Sequence, residues 1–342
     1  MRIIVDIMSG DKAPDAQLIG TLEAAVEHPT VGFLLVGDKL VIAERSAALG
    51  LDYALPNVQI AHSSSVITMD DPALSVVREK RDSSMALGLH ALVTGEGDAF
   101  ISAGNTGALH AGSTLIIRRI KGVLKSAIAT VLPLANPTLL IDSGANIEIT
   151  PPVYRQFAEM GSVYMKRVHG LSSPRVGLLN IGAERTKGTK VMQEAYELLE
   201  ADSSINFVGN VEGRDVPFGV CDVLVCDGLN GNILLKFTEG CGEYMMKTFR
   251  GVFAGNPAAQ LSGLTVRNKI KKFAKEFDYT EYGGAPLLGL SKIVIKAHGE
   301  SDSNAVRNAV RQALLCLENR VNYEIANLVV PGFASENAEE KQ

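Results

Sequence analysis

The segment Asp98-Ala-Phe-Ile-Ser-Ala-Gly-Asn-Thr-Gly107 contains the junction that decides the fold. Its first four residues resemble the end of a buried strand, and the next six form a tight turn that leads into an apolar helix near Ala108. Backbone N–H groups and the positive end of a helix dipole meet at such a turn, so a phosphate or carboxylate would bind well there. Ser102, Asn105 and Thr106 would add side-chain donors. The alternative is a plain strand-to-helix turn in which Asn105 or Thr106 is the N-cap.

On either side of this junction, short β-branched runs alternate with amphipathic segments of helical length. The predicted strands cover residues 3–6, 32–36, 58–61, 99–102, 127–132, 138–141, 175–180, 206–209, 223–226 and 293–295. The predicted helices cover residues 15–27, 40–49, 82–94, 108–119, 152–169, 189–200, 233–253 and 304–321. This alternation is typical of parallel sheets with helices on both faces. The sequence therefore predicts an α/β fold with a mostly parallel, doubly wound sheet.

The composition is that of an ordinary soluble globular protein. The chain has 342 residues, of which 46% are hydrophobic and 21% are charged. Its net charge of −5 disfavours wholesale nucleic-acid binding, which favours a basic surface. The four cysteines lack the spacing of metal ligands. The first residues lead directly into a strand and do not resemble a signal peptide. No apolar run approaches the roughly 20 residues that span a bilayer. We expect a cytoplasmic protein in which residues 1–330 form one catalytic unit and residues 331–342 a disordered tail.

Residues 243–277 interrupt the alternation, because no strand signal occurs there. Apolar residues at helical spacing precede a Gly/Asn/Pro break at residues 255–257, and a second amphipathic helix follows. The apolar positions are Met245, Phe249, Val252, Phe253, Ile270, Phe273, Ala274 and Phe277, and the lysines of the second helix are Lys269, Lys271, Lys272 and Lys275. The pattern predicts a protruding helical hairpin. Its basic and aromatic faces suit a membrane surface or an acidic protein, and the alternative is a dimerisation or core-packing hairpin.

Gly, Asn and Asp residues also follow five other predicted strands. These polar turns begin at Asp6, Asp142, Asn180, Gly209 and Asp227. Ligands of open α/β sheets bind beyond the carboxyl ends of the strands, so we expect the turns to form one active site at that edge. A single turn of this kind is usually structural, and the prediction rests on the whole set.

No common catalytic motif accounts for these turns. The turn at residues 182–187 contains a lysine but lacks the spacing of a P-loop, and no strand is followed by G-x-G-x-x-G. The chain also lacks H-E-x-x-H, G-x-S-x-G and a Cys/His pair, which disfavours metal or covalent nucleophilic catalysis. We therefore expect neither a cofactor nor a metal. His298, at the end of a late strand, is the one histidine with a candidate functional role, although a lone histidine is more often structural.

Longer motifs resemble those of the PlsX family, the acyl-[acyl-carrier-protein]:phosphate acyltransferases of bacterial phospholipid synthesis. They include Ser102-Ala-Gly-Asn-Thr-Gly-Ala-Leu109, Phe207-Val-Gly-Asn-Val-Glu-Gly-Arg-Asp215 and Val225-Cys-Asp-Gly-Leu-Asn-Gly-Asn232. Further matches at residues 142–146, 179–182, 187–188, 282–289 and 297–299 extend the resemblance over nearly the whole chain. The sequence departs from the family motifs at two positions, and neither change removes a charged side chain. Ser9 stands where the family usually has glycine, and Ser143 stands where it often has a small apolar residue.

The resemblance implies an enzyme that moves a fatty acyl group from the phosphopantetheine thioester of acyl carrier protein to inorganic phosphate. The acyl phosphate would then serve a membrane glycerol-3-phosphate acyltransferase. The resemblance also implies a homodimer, peripheral membrane attachment through an amphipathic helical region, and a fold similar to phosphotransacetylase and isopropylmalate dehydrogenase. Two alternatives are a phosphotransacetylase that uses acyl-coenzyme A and a non-catalytic, membrane-associated scaffold.

The candidate residues suit a reaction in which phosphate is itself the nucleophile. The candidate catalytic residues are Lys187 for the anion, Asn232 for the thioester oxygen, Asp227 to orient Lys187 or handle a proton, and His298 for the phosphate proton. The candidate ligands of phosphate and thioester are Ser102, Gly104, Asn105, Thr106, Gly107, Asn146, Asn180, Asn210, Glu212 and Gly228. The alternative roles are turn capping for Asp227 and Asn210, and a solvent-exposed loop lysine for Lys187.

Two further surfaces follow from the implied substrates. An acyl chain needs an apolar groove, and the Met/Phe stripe of the hairpin is a candidate wall. Acyl carrier protein is strongly acidic, so we expect a basic docking patch. Arg118, Arg119, Lys121 and Lys125 could form this patch, and the lysine face at residues 269–275 is the alternative.

Overall fold

The computed structural model describes residues 1–132, 134, 136–254 and 283–329. The strands are β1 (Arg2–Asp6), β2 (Gly32–Gly37), β3 (Val58–His62), β4 (Ala99–Ser102), β5 (Ala127–Leu132), β6 (Thr138–Ile141), β7 (Arg175–Asn180), β8 (Asn206–Glu212), β9 (Val223–Val225), β10 (Ala285–Leu288) and β11 (Ile293–Lys296). The helices are α1 (Asp15–Glu27), α2 (Lys39–Leu49), α3 (Ser84–Thr94), α4 (Thr106–Gly112), α5 (Pro151–His169), α6 (Lys190–Ala201), α7 (Gly228–Ala254), α8 (Ser303–Glu318) and α9 (Val321–Val329).

The strands form one 11-stranded sheet in the order β3-β2-β1-β4-β11-β10-β5-β6-β9-β7-β8. Seven of the described strand pairings are parallel. The other three are antiparallel and join β11 to β10, β10 to β5, and β5 to β6. The prediction of a mostly parallel α/β sheet is therefore confirmed, with an antiparallel seam at its centre.

The seam changes where the strand ends lie. Because three consecutive pairings are antiparallel, the block β3-β2-β1-β4-β11 and the block β6-β9-β7-β8 run in opposite directions. The carboxyl ends of the two blocks therefore face opposite edges of the sheet. The assumption of a single strand direction is therefore wrong. The turns after β4, β6 and β9 nevertheless line one cavity in the described part of the chain, whereas those after β7 and β8 do not.

Both faces of the sheet are covered, because alternate side chains of β1 are buried in two different apolar clusters. Ile3 and Val5 are buried in one apolar cluster with Leu18 of α1 and Val310 of α8. Ile4 is buried on the other face in a second cluster with Leu89 of α3. Successive strand residues point to opposite faces, so a strand that is apolar at every position must be covered twice.

Several predicted elements differ from the structure in extent. The segment predicted as one helix at residues 108–119 is α4 followed by a π-helical turn at Ser113–Ile117. The helix predicted at residues 304–321 ends at Glu318, and α9 follows as a separate helix. Strand β10 was not predicted. The thiols of Cys221 and Cys226 are buried.

The predicted hairpin at residues 243–277 is only partly covered by the described residues. Residues 243–254 are the last part of α7, which begins at Gly228 beside the candidate site. Residues 255–282 and the predicted tail at 331–342 lie outside the described residues. None of the described helices is long and apolar enough to cross a membrane.

Candidate active site

A cavity of about 590 Å³ lies over the central seam of the sheet. Its floor includes Ile128 and Thr130 of β5 and Ala285 of β10. The seam separates the two parallel blocks, so a cavity over it reaches polar turns from both. This volume is within the range of about 300–1,000 Å³ that is typical of small-molecule sites.

One wall of the cavity comes from the carboxyl ends of β4 and β11. It includes Gly104 and Thr106 after β4, and Lys296, His298 and Ser301 at and after β11. These strands are hydrogen-bonded neighbours, with Lys296 beside Ser102 in the parallel register. Adjacent parallel strands end at the same edge, which brings their polar residues together.

The opposite wall comes from the turn after β6 and the start of α7. The carboxylate of Asp142 accepts hydrogen bonds from the backbone N–H groups of Ile128, Gly144, Ala145 and Asn146, at 2.7–3.1 Å. This network fixes the turn. Asn232, one helical turn into α7, donates from Nδ2 to the Ser143 carbonyl at 3.1 Å and lines the cavity.

Apolar side chains complete the second wall and part of the floor. They are Ile128, Val131, Ile147, Leu229, Ile233 and Leu235. Ile147, Leu229 and Ile233 are 68%, 51% and 60% exposed, although isolated apolar groups of this size are usually buried. The cavity thus combines polar and charged side chains, which include Lys236 and Glu239 of α7, with apolar side chains that are open to an apolar ligand.

Burial changes the acid–base properties of three cavity residues. Burial lowers the pKa of Lys296 to about 8, while the charges of Asp11 and Asp6 partly oppose this effect. Burial also lowers the pKa of His298, and the positive charge of Lys296 adds to this shift. Burial raises the pKa of Glu239 on α7. Such shifts are typical of residues gathered in functional clefts.

Comparison with known proteins identifies the family. The model of the fatty acid synthesis protein family matches residues 1–324. This chain belongs to the PlsX family of phosphate acyltransferases. The phosphate acyltransferase of Thermoanaerobacter pseudethanolicus is 44% identical over 322 residues, covering 94% of this chain and 95% of the relative. The phosphate acyltransferase of Acetivibrio thermocellus is 42% identical over 335 residues, covering 96% and 98%.

Solved structures of lower sequence identity share the fold. A phosphotransacetylase from Streptococcus pyogenes matches with a TM-score of 0.59 and 14% identity, covering 94% of each chain. The EutD phosphotransacetylase from Staphylococcus aureus matches with a TM-score of 0.54 and 15% identity, covering 96% of this chain and 94% of that one. A 4-hydroxythreonine-4-phosphate dehydrogenase from Burkholderia phymatum has a TM-score of 0.50, 16% identity and coverage of 92% and 97%. The predicted similarity to phosphotransacetylase and dehydrogenase folds is therefore confirmed.

Within this PlsX-family chain, five of the predicted site residues line the cavity. They are Gly104, Thr106, Gly228, Asn232 and His298. They come from the turn after β4, the first residue of α4, the first turns of α7 and the loop after β11, which are distant in sequence. The structure therefore brings together residues from both parallel blocks, although not at a common sheet edge.

Three other predicted ligands lie beside the cavity with their side chains engaged in internal hydrogen bonds. Ser102 Oγ donates to Asp6 at 2.8 Å. Asn105 caps α4 by accepting from Ala108 N at 3.0 Å and donates to the carbonyls of residues 68, 69 and 71. Asn146 Nδ2 donates to Ser126 O and to the Asp142 carboxylate. These side chains shape the site, and the capping alternative describes Asn105 correctly.

Four predicted residues form a separate cluster at the ends of β7 and β8. Asn180 donates to Asn210 at 3.1 Å, Asn210 donates to the Glu184 carbonyl, and Asn180 donates to the Lys187 carbonyl. Lys187 Nζ lies 4.0 Å from Glu184, and Glu212 accepts from Arg214. None of the four predicted residues is among those that line the described cavity.

Asp227 and Gly107 also differ from their predicted roles. Asp227 accepts from the backbone N–H and side chain of Asn230 and from Tyr154 OH, so it caps α7 instead of orienting Lys187. Gly107 is exposed in the first turn of α4 and is not a lining residue of the described cavity.

Lys296 was not among the residues selected from the sequence, and it lines the cavity together with a second lysine, Lys236 of α7. A signal was present, because Ile293-Val-Ile-Lys-Ala-His298 places a charged residue directly at the end of an apolar strand. The functional prediction was assigned to His298, two residues later, instead. Ser143, a departure from the family motif, hydrogen-bonds through Oγ to Thr130 Oγ1 at 2.7 Å on the cavity floor.

Proposed function

We propose that this protein transfers a fatty acyl group from acyl carrier protein to inorganic phosphate and releases an acyl phosphate. The observation that carries the proposal is a single cavity lined both by polar and charged groups and by exposed apolar side chains. An acyl thioester needs an apolar channel beside its reacting carbonyl, and phosphate needs hydrogen-bond donors and a cation. Membership of the PlsX family supports the same pair of substrates.

The reaction needs no acyl-enzyme intermediate. A phosphate oxygen attacks the thioester carbonyl, a C–O bond forms, the C–S bond breaks, and the proton of hydrogen phosphate ends on the departing thiol. The Nδ2 amide of Asn232 would stabilise the tetrahedral oxyanion, because it reaches the cavity from a rigid helix. His298 would carry the proton between phosphate and thiol, since its lowered pKa favours the neutral imidazole.

The carrier protein would dock near Lys125. Lys125 Nζ donates to the Glu148 carbonyl at 2.8 Å, next to the cavity residue Ile147. Arg118, Arg119 and Lys121 are exposed on the same segment. An acidic partner held there would deliver its acyl group across the open apolar rim, and this arrangement supports the patch that includes Lys125.

We further propose that the protein works as a homodimer in the cytoplasm and touches the membrane peripherally, where a glycerol-3-phosphate acyltransferase would use its product. The exposed apolar residues of α7 support such contacts, since Phe237 and Tyr244 are 69% and 71% exposed. Light scattering would test the dimer. Flotation with anionic vesicles, comparing wild type with Tyr244→Glu, would test the membrane contact, and equal flotation would contradict it.

The deciding experiment combines purified protein, palmitoyl-acyl carrier protein and phosphate, with hydroxylamine to trap acyl phosphate as hydroxamate. We expect phosphate-dependent release of free carrier protein with an equal amount of hydroxamate. Product from palmitoyl-coenzyme A but not from the carrier protein would instead favour the phosphotransacetylase alternative. No product from either donor would favour a non-catalytic scaffold.

A further inference from the structure

Lys296 is a lysine in the cavity that the reaction outlined above does not use. It is the last residue of β11 and lies between Ala285 of β10 and Ser102 of β4. Its ammonium group donates to the carbonyls of Ala103, at 3.4 Å, and Ala297. A lysine ammonium has three N–H donors, so one remains for a ligand in the cavity.

The charge of Lys296 has no direct counter-ion in the described part of the chain. The ion pairs found there at 4.0 Å or less do not include it. Asp6 and Asp11 act on it only as more distant charges. A partly buried cation without a contacting carboxylate is a favourable position for an anionic ligand.

Other hydrogen-bond donors line the same cavity. Ser301 is fully buried, lines the cavity, and its Oγ has no hydrogen-bond partner among the described residues. Thr106 contributes a second hydroxyl. Gly104 exposes its backbone to the cavity. The position excludes a larger residue, because a Cβ there would lie 2.7 Å from Met85 Cε and 2.9 Å from Ser9 Cβ. One cation and two hydroxyls match the oxygens of a tetrahedral dianion.

We propose that Lys296, Thr106 and Ser301 form the subsite that holds inorganic phosphate, and that Lys296 is its neutralising cation in place of Lys187. The inference rests on the proposed function, because that function makes phosphate a substrate. Lys187 is less suited, since its ammonium faces Glu184 and its side chain is 47% exposed outside the cavity. Lys296 of β11 and Asn232 of α7 line the same cavity, so a phosphate held by Lys296 would share it with a carbonyl held by the amide.

The test is calorimetric titration of inorganic phosphate into the free, full-length protein. Lys296→Met is expected to weaken phosphate binding at least about tenfold, the effect of losing one charge-assisted contact. Lys190→Met is the matched control, because Lys190 is a surface lysine that pairs with Glu194 in the next helical turn and does not line the cavity. It should bind phosphate within about twofold of wild type. Weakened binding in Lys187→Met, with Lys296→Met unchanged, would overturn the proposal.

Two further variants keep the test valid if Lys296→Met fails to fold. Ser301→Ala and Thr106→Val each remove one hydroxyl and should weaken phosphate binding by about three- to tenfold. Unchanged affinity in both would refute the subsite. The titration needs no acyl donor, so its outcome is separate from turnover. An inactive wild type that binds phosphate through Lys296 would refute the proposed function alone, and an active enzyme with unaltered variants would refute only the subsite.

Discussion

Lys296 gives a pH-dependent prediction at the scale of a single residue. Its ammonium is charged below its pKa of about 8 and becomes neutral above it, so phosphate affinity should fall as pH rises from 8 to 9.5. Bound phosphate stabilises the charged ammonium of Lys296, so the loss of affinity extends to a higher pH than the pKa of this lysine in the free protein. Lys296→Arg stays charged throughout this range and should lose less affinity. Calorimetry compares the phosphate affinity of both proteins at each pH, so the titration of phosphate itself affects both equally. If affinity fell equally with pH in the two proteins, the role of Lys296 would be contradicted.

Asn232 provides a second residue-scale prediction. Asn232→Ala should lower kcat about 10²- to 10³-fold, because the amide is proposed to stabilise charge that develops only in the transition state. The KM values for phosphate and acyl carrier protein should change little. Asn230→Ala is the control on the same helical turn, since Asn230 is exposed and bonds to Asp227 outside the cavity. Steady-state kinetics on both variants would show whether the loss is specific, and equal rates would contradict it.

Individual residue roles were the part of the site that the sequence predicted least well. The polar motifs correctly marked strand ends near a cavity, as Thr106, Asn232 and His298 show. The partners of each amide depend on segments distant in sequence. Asn105 bonds to carbonyls 34–37 positions away, which leaves its amide occupied. No local pattern contains that information.

At the scale of elements, α7 approaches the sheet so closely that one position requires glycine. A Cβ on Gly231 would lie 1.9 Å from the Asp142 carbonyl oxygen and 2.9 Å from Cys226 Sγ. Gly231→Ala should therefore destabilise the protein by roughly 1–3 kcal/mol and disturb the turn after β6. Gly240→Ala, on the same helix with nothing within 4 Å of its Cβ, should instead stabilise it by about 1 kcal/mol. Thermal unfolding of both variants measures the contrast, and equal midpoints would contradict this contact.

The missed strand and the antiparallel seam have local explanations. Strand β10 reads Ala285-Pro-Leu-Leu288, which has no β-branched residue and includes a proline that cannot donate a backbone hydrogen bond. The antiparallel direction of the β5–β6 pair could be predicted from the sequence, because the connection between Leu132 and Thr138 is too short for a parallel crossover helix. Strand positions followed from local composition, whereas strand direction depended on these connection lengths.

At the scale of the whole molecule, the seam makes the cavity a junction between two oppositely directed blocks. The β4–β11 wall belongs to one block, and the wall of α7 and the β6 turn belongs to the other. Phosphate at Lys296 would contact only the first wall. An acylated ligand would contact both, since the apolar side chains lie mainly on the second wall. Ligand binding should therefore stabilise the two blocks separately and in a defined order.

Hydrogen exchange tests this division, because amides protected by a bound ligand open less often. Inorganic phosphate alone should slow exchange at residues 102–107 and 296–301 and leave residues 143–147 and 229–236 near their free rates. A hydrolysis-resistant palmitoyl phosphonate should slow exchange in all four segments. Residues 32–37 of β2, outside the cavity, serve as the internal control. Protection by phosphate that is confined to residues 180–188 would place the anion at Lys187, and equal protection of both walls by phosphate would show that the two blocks respond as one unit.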